Sequence, residues 1–369
     1  MRCIGLAVAI FALVLPFSNQ PVSASTLAAR GRIPLTGDAK LVCLSTQRCL
    51  AAGEVNPLTG GIALTTNAGT TWSLVAQDPV SELTGTAFTD LACDSQLCVA
   101  VGYQPDKATG PRGLILVSHD EGNTWTQVDS GASELFGVAC TSPSICTAVG
   151  SVVPGGTKGQ IAIETTDAGR TWVGSRMPSS IVSFLHVACA DHDVCLAIGQ
   201  ARQDGLPAGF GLPAVFSTTN GGQTWTHQTI EVGHFGAITN LDCFSSGSCI
   251  VVGVMPGSEK AIAIWTKNAG RRWTSAHIPS TVLELPDVVC LSQSRCVAIT
   301  EQVRQRKLVG VPFYTNDFQR WTMGSVSPST ASIGAVSCIT VDTCFASAAE
   351  PVVGNVLLHT NDGGKRWTN

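Results

Sequence analysis

Charge is what this chain has least of. Asp, Glu, Lys and Arg make up 13% of its 369 residues, about half of the ~25% usual in soluble domains. The net charge is −4, and no single-sign run stands out. A nucleic-acid partner would usually require a basic stripe, and none is visible. Tyrosine is nearly absent, with two residues. No Cys-x-x-Cys occurs, and the seven His show no metal-ligand spacing, so neither a zinc centre nor another metal site is expected. No segment shows helical periodicity. None beyond the N-terminus is long and apolar enough to span a bilayer.

The N-terminus reads as an export signal over residues 1–24. Arg2 gives a short positive start, and Ile4 to Phe17 is apolar but shorter than a membrane span. Val22-Ser23-Ala24 offers a small-residue cleavage site. A secreted, periplasmic or cell-envelope location is therefore expected for residues 25–369, with no membrane span after signal removal.

What the chain does have is Gly (38), Pro (18) and Cys (15). Fourteen of the cysteines form pairs: Cys43/Cys49, Cys93/Cys98, Cys140/Cys146, Cys189/Cys195, Cys243/Cys249, Cys290/Cys296 and Cys338/Cys344. Their first members lie 50, 47, 49, 54, 47 and 48 residues apart. A fixed period of this length marks a repeat architecture. Seven units begin near residues 40, 90, 137, 186, 240, 287 and 335, and are numbered 1 to 7 here. The fifteenth cysteine, Cys3, lies in the expected signal. In an exported chain a Cys-x(4 or 5)-Cys across a hairpin reads as a local disulfide. Zinc would need four converging ligands, whereas successive pairs fall in different units. Loop entropy gives about 2.4 kcal/mol per bridge of this size.

A second motif follows each cysteine pair: "TTNAGTTW" (65–72), "SHDEGNTW" (118–125), "TTDAGRTW" (165–172), "TTNGGQTW" (218–225), "TKNAGRRW" (266–273), the degenerate "TNDFQRW" (315–321) and "TNDGGKRW" (360–367). Seven of the eight Trp residues lie in these motifs. His119, Asp120 and Glu121 look catalytic in isolation, but a catalytic set is needed once, not seven times. Asn67, Asp120, Asp167, Asn220, Asn268, Asp317 and Asp362 are expected to accept backbone N–H bonds across a turn, with Gly supplying a positive φ and Trp starting the next strand. Asn at three of these positions caps a turn but makes a poor general acid.

Ser/Thr-x-Asp/Asn-x-Gly-x-Thr-Trp resembles the Asp-box, or bacterial neuraminidase repeat, of sialidase-like β-propellers. The resemblance covers about residues 40–369. The seven-fold count is also similar to the propellers of photosystem II assembly and stability factors. The cysteine pairs are not a general feature of Asp-boxes. Independently of the family, each unit carries four strand signals, as in "FTDLAC", "CVAVG", "GLILVS" and "TWTQV" of unit 2. The expected fold is therefore all-β: a single seven-bladed propeller of four-stranded antiparallel blades.

Strand alternation places the cysteine turns and the boxes on one face and the variable strand 2–3 loops on the other. That loop-rich face is the candidate binding face, with Arg202, Asp204, Arg304, Arg306 and Lys307 as candidate binding residues. Glu54, Asp106, Asp204, Glu301 and Glu350 are its carboxylates, and nothing in the sequence pairs them. The sialidase resemblance implies an arginine triad, a Tyr nucleophile with its Glu, and an Asp acid/base. Arg32-Ile33-Pro34 matches a family N-terminal signature, but Arg176-Met177-Pro178 and His277-Ile278-Pro279 hold the same place in the repeat frame. Tyr103 and Tyr314 both stand at strand ends. No catalytic set is recognisable. The expected function is a non-enzymatic, exported binding, assembly or scaffold propeller, monomeric and without cofactor, for a protein or glycan partner. The alternative is a sialidase-like or other Asp-box glycoside hydrolase. Finally, unit 7 ends two residues after Trp367. Residues 26–34 are expected to pair with it and join the ends of the ring.

Overall fold

Each unit folds as its alternating pattern dictates. In unit 2, Ala87–Asp94, Leu97–Gln104, Arg112–Ser118 and Thr126–Val128 pair antiparallel in chain order. The computed structural model describes residues 29–369 apart from 57–58, 78–85, 106–110, 130, 133, 152–160, 207–210, 231–234, 246, 259, 293, 305–306, 328–331 and 351–353. The expected signal therefore lies outside the described residues. Among these residues there is no helix, hence none able to cross a membrane. The chain is an all-β propeller of four-stranded antiparallel blades.

All seven cysteine pairs are disulfides within their own units: Cys43–Cys49, Cys93–Cys98, Cys140–Cys146, Cys189–Cys195, Cys243–Cys249, Cys290–Cys296 and Cys338–Cys344. Each joins directly opposed residues of the first hairpin, such as Cys93 and Cys98. Spacing places each pair across a hairpin but does not give the depth of its members. Cys49, Cys98, Cys146, Cys195, Cys249, Cys296 and Cys344 are at most 1% exposed. Each is the first or second residue of the second strand of its unit, and that strand is buried on both faces, as in Leu97–Gln104, because a neighbouring sheet covers each side. The first members pack less deeply: Cys43, Cys243 and Cys290 are buried near the surface, and Cys93, Cys140, Cys189 and Cys338 are half-buried. The bridges are therefore core groups that tie a partly covered strand to a fully covered one.

Seven separate sheets were expected, and six hydrogen-bonded sheets are present among the described residues. Units 3 and 4 merge into one eight-stranded sheet through a single pairing, Ser151 with Ser183. A missing side chain is consistent with this close approach. Gly137 stands on the innermost strand of unit 3, where a Cβ would lie 2.9 Å from the Cα of His186. Without it the innermost strand of unit 4 approaches closely enough to join.

The core lies between sheets. Seven apolar clusters each draw on consecutive units. One joins Leu50, Ala52, Ile62 and Leu64 of unit 1 to Phe88, Leu91, Ala100 and Leu114 of unit 2. The box Trp residues anchor these clusters: Trp72, Trp225, Trp273, Trp321 and Trp367 are buried, and Trp125 and Trp172 partly so.

The ends of the ring meet differently from expectation. Ala29–Arg30 pairs antiparallel with Thr71 and Trp72 of unit 1, not with unit 7. The outer edge of unit 7 is instead extended by Ser325–Ser327, which pairs parallel with Arg366–Thr368. The next few residues do bridge the ends. The Ile33 N–H donates to the Asn355 carbonyl at 2.8 Å, and Asn355 Nδ2 donates to the Leu35 carbonyl at 2.8 Å. Ile33 and Leu35 fill the cluster shared by Trp72 and Ala63 of unit 1 with Ala335, Phe345 and Leu357 of unit 7. A segment that ran along unit 7 would leave this crevice empty, whereas here two apolar side chains are taken out of water.

Ile33 is fully buried, so Ile33→Ala should destabilise the fold by about 2–4 kcal/mol, as large-to-small core changes do. A chain starting at Thr36 should melt well below the chain starting at Ser25. Equal melting temperatures for the two would show that residues 29–35 do not close the ring.

Candidate functional site

The repeated boxes are built alike. In unit 1 the Gly69 N–H donates to Thr65 Oγ1 at 3.0 Å, and the Thr71 N–H donates to Asn67 Oδ1 at 2.9 Å. The second bond recurs to Asp120 (2.8 Å), Asp167 (2.9 Å), Asn220 (3.0 Å), Asn268 (2.8 Å), Asp317 (2.7 Å) and Asp362 (2.9 Å). Two consecutive residues take positive φ, as Ala68 at 56° and Gly69 at 84°. The degenerate box keeps one such residue, Phe318 at 60°, and is one residue shorter. Hydrogen bonds from the Thr171 hydroxyl and N–H hold the Asp167 carboxyl down at about 2. For Asp120 burial alone would raise the carboxyl, but the Thr124 and Ser118 bonds outweigh it and the value is lowered. These carboxylates stay ionised and occupied.

Sequence reasoning missed a different cluster. Three residues before the first Cys of each unit stand Lys40, Asp90, Gly137, His186, Asn240, Asp287 and Ala335, all on the innermost strands. Asp90 accepts from its neighbour, Leu91 N–H (2.9 Å), and from Val138 N–H in unit 3 (2.9 Å). His186 Nδ1 of unit 4 lies 3.3 Å from the same carboxylate, reaching past Gly137 of unit 3. Asp287 accepts from Val288 N–H (2.9 Å), from Val336 N–H of unit 7 (2.8 Å) and from Asn240 Nδ2 of unit 5 (2.7 Å). Asp242, one residue before Cys243, accepts from Cys243 N–H (2.8 Å) and from Cys290 N–H of unit 6 (2.6 Å). Each carboxylate thus staples the innermost strands of two units.

Their electrostatics differ. Burial pushes the Asp242 carboxyl up to about 7 despite two N–H bonds, because those bonds do not replace lost hydration. Burial also raises Asp287, against Lys40 and the Val336 N–H. Burial would raise Asp90 too, but the His186 bond and charge, Lys40 and the Val138 N–H together lower it. Among the described residues no group of three or more His, Cys, Asp or Glu is placed to hold a metal. Asp242 could carry a proton near neutrality, yet both its oxygens accept backbone N–H bonds.

Of the residues expected to bind on the opposite face, only Arg202 and Asp204 have described side chains. Arg202 and Asp204 are exposed at the end of Cys195–Arg202, and the Arg202 N–H donates to Ser180 O at 2.7 Å. Arg304 and Lys307 pair through their backbones at the tip of another hairpin. Their side chains, all of Arg306, and Asp106 lie outside the described residues, as does the Glu301 side chain. The two tips belong to different units, 4 and 6. Glu54 is exposed and Glu350 half-buried. Tyr103 is half-buried with its ring edge-on to Phe136. Arg32 is exposed beside Gly354 while Ile33 is core, so Arg32-Ile33-Pro34 serves the end of the ring.

No protein-family model matches the sequence, and no curated protein does. Solved structures match its shape end to end. YCF48 bound to a D1 peptide is similar at TM-score 0.58 and 11% identity, over 93% of this chain and 99% of that one. U3-55K is similar at 0.59 and 10%, over 90% and 97%. The ulvan lyase of polysaccharide lyase family PL25 is similar at 0.55 and 11%, over 92% and 94%. At such identities the likeness shows the propeller fold alone, shared by binding proteins and enzymes.

Asp242 generates a pH test. Folded, it ionises near 7; unfolded, near 3.8. A raised folded value means that its contribution is full below about pH 4 and is lost as pH rises to 7. Wild-type stability minus that of Asp242→Asn should therefore fall across this window, by up to about 4 kcal/mol, and then level off. Urea unfolding at several pH values measures it, and a flat difference would show that Asp242 ionises normally in the folded chain.

Proposed function

We propose that the chain is an exported, seven-bladed Asp-box propeller that binds or scaffolds a partner and catalyses nothing. The observation that carries this reading is the occupation of its interior carboxylates. Asp90, Asp242 and Asp287 each accept two backbone N–H bonds from adjacent innermost strands. A general acid or nucleophile needs an oxygen free to reach substrate, and these oxygens are engaged. Seven blades are supported by one disulfide per unit and by seven inter-unit clusters, the merged sheet counting as two. Export, removal of residues 1–24 and a secreted, periplasmic or envelope location are supported by the disulfides, which persist in oxidising compartments.

The partner docks on the loop-rich face through Arg202, Asp204, Arg304, Arg306 and Lys307. The exposed Leu206 and Leu212 beside the first two suit a partner with an apolar side. YCF48 was solved with a D1 peptide bound, which favours a polypeptide over a glycan.

A second reading is glycan cleavage, favoured by one observation: Asp242 titrates near neutrality, where an acid/base would. The same experiment addresses both. The purified chain from residue 25 should show no turnover of sialosides, β-glucans or ulvan. Hydrolysis or elimination that Asp242→Asn abolishes would establish the enzymatic reading. Separately, a peptide selected against the wild-type chain should bind at least about tenfold more weakly when Arg202, Arg304 and Arg306 are all changed to Glu. Undiminished affinity would move the docking face elsewhere.

A further inference from the structure

The face opposite the loops is built of short turns tied to one another. The box turn of most units donates a backbone bond to the cysteine turn of the same unit: Gly221 N–H to Asp193 O at 3.0 Å, Ala269 N–H to Gly247 O at 3.1 Å, Gly363 N–H to Asp342 O at 2.9 Å. Side chains then link adjacent units, as Arg48 Nε to Glu121 at 3.1 Å and Arg295 to Asp342 at 3.2 Å. The result is a face of short, cross-tied turns that recurs in nearly the same form from unit to unit.

Its charge does vary. The position just before the box Trp is Thr in units 1 to 4 (Thr71, Thr124, Thr171, Thr224) and Arg in units 5 to 7 (Arg272, Arg320, Arg366). The Thr hydroxyls bond the box side chain, as Thr124 Oγ1 does to Asp120 and Thr171 Oγ1 does to Asp167. The three Arg side chains are exposed. Counting the cysteine turns and boxes, units 2 to 4 carry six acidic side chains and one basic, whereas units 5 to 7 carry seven basic and three acidic. Unit 1 contributes only Arg48, which is paired with Glu121. A face that is near −5 on one arc is thus near +4 on the facing arc.

We propose that this face is an interface between two copies of the chain, stacked face to face about a two-fold axis. A two-fold axis lying in the plane of the face, through unit 1 and the boundary of units 4 and 5, sets unit 4 on unit 5, unit 3 on unit 6 and unit 2 on unit 7 of the other copy. The net-acidic arc then faces the net-basic arc, twice over, as isologous contacts require. Asp193, 68% exposed, faces the exposed Lys267, Arg271 and Arg272. Glu121 and Asp94 face Arg366. An anionic polymer would complement only the basic arc and would be repelled by the other, whereas a second copy complements both. Phe244 and Val341, exposed at 42% and 41% in the cysteine turns of units 5 and 7, supply apolar area to be covered. This departs from the monomer expected from sequence. It rests on the ring order of the seven units proposed above and is independent of what docks on the loop-rich face.

Sedimentation velocity on the mature chain tests it. At about 10 mM salt and ~100 µM protein a dimer is expected, weakening at least tenfold at about 0.5 M salt, where exposed charges more than a few ångströms apart are screened. Arg271→Glu with Arg272→Glu should give a monomer, and so should Asp193→Lys. All three side chains are exposed, so both variants should melt as wild type does. Mixing the two variants should restore a heterodimer, because the reversed charges now meet. Asp191 is left unchanged, since it caps its own turn through Val194 N–H at 2.8 Å. A wild-type chain monomeric under these conditions, a dimer surviving both reversals, or variants that fail to associate on mixing would each overturn the interface. A six- or eight-unit ring found by crystallography would instead remove the ring order on which it rests.

Discussion

The structure depends on the packing of each sheet against the one before it. A four-stranded blade of this kind has two apolar faces and cannot bury either alone. Its box turn supplies the contact. Gly122 sits where any Cβ would run into Leu50 of unit 1, and Gly169 where it would meet Val117 of unit 2. The positive φ of these glycines (82° and 80°) therefore serves two ends: it turns the chain, and it lets the backbone seat on the preceding sheet. The Trp that follows extends the same contact inward. The low charge content of the chain has the same origin, since two-sided burial of the middle strands leaves only turns and outer edges for charged side chains.

A chain of such contacts must either close or leave an apolar face open. Here it closes on itself through the same parts. Gly69 of unit 1 seats on Leu357 of unit 7, and Ser337 accepts the Cys43 N–H at 2.9 Å. Asp242 plays the Ser337 role between units 5 and 6. What unit 1 lacks is a preceding unit to feed its entry segment, and residues 29–35 stand in for it. That is why Ile33 and Leu35 are core although they precede the first repeat.

The repeat made much of this legible. Cysteine spacing gave the hairpins and their disulfides, because a loop of four or five residues brings its ends to opposed positions. It did not give the depth of the second cysteine: Cys49 or Cys296 is fully buried only because sheets from other units flank its strand. The box gave the turn and the buried Trp, because its Ser/Thr, Asp/Asn and Gly each have one local role. The innermost polar ring was not read, although "FTDLAC" and "PDVVC" carry an Asp in an otherwise apolar strand. Its meaning depends on partners 46 to 49 residues away, such as Val336 for Asp287, and no local rule points there. The union of units 3 and 4 escaped for the same reason: Gly137 matters only through His186. The loop-rich face was legible as variable, but Arg202 and Arg304 stand on different units, and spacing alone cannot bring them together.

The two faces divide the chemistry unequally. Variation in loop length is concentrated at one end of the sheets, where nothing repeated constrains it. On the other end most backbone bonds repeat, so variation enters chiefly through side chains that the turn does not need. The residue before Trp is such a place. Thr there completes the box by bonding its Asp or Asn, worth on the order of 1 kcal/mol for a solvent-facing bond. Arg gives up that bond and leaves the box intact, as the 2.7 to 2.9 Å bonds of Arg272, Arg320 and Arg366 N–H show. Three adjacent units make the same exchange, and none of the other four does. A loss of stability repeated in one contiguous arc is not what drift among equivalent positions produces. It is what a surface with its own electrostatic requirement produces, laid over a frame that holds its shape without it.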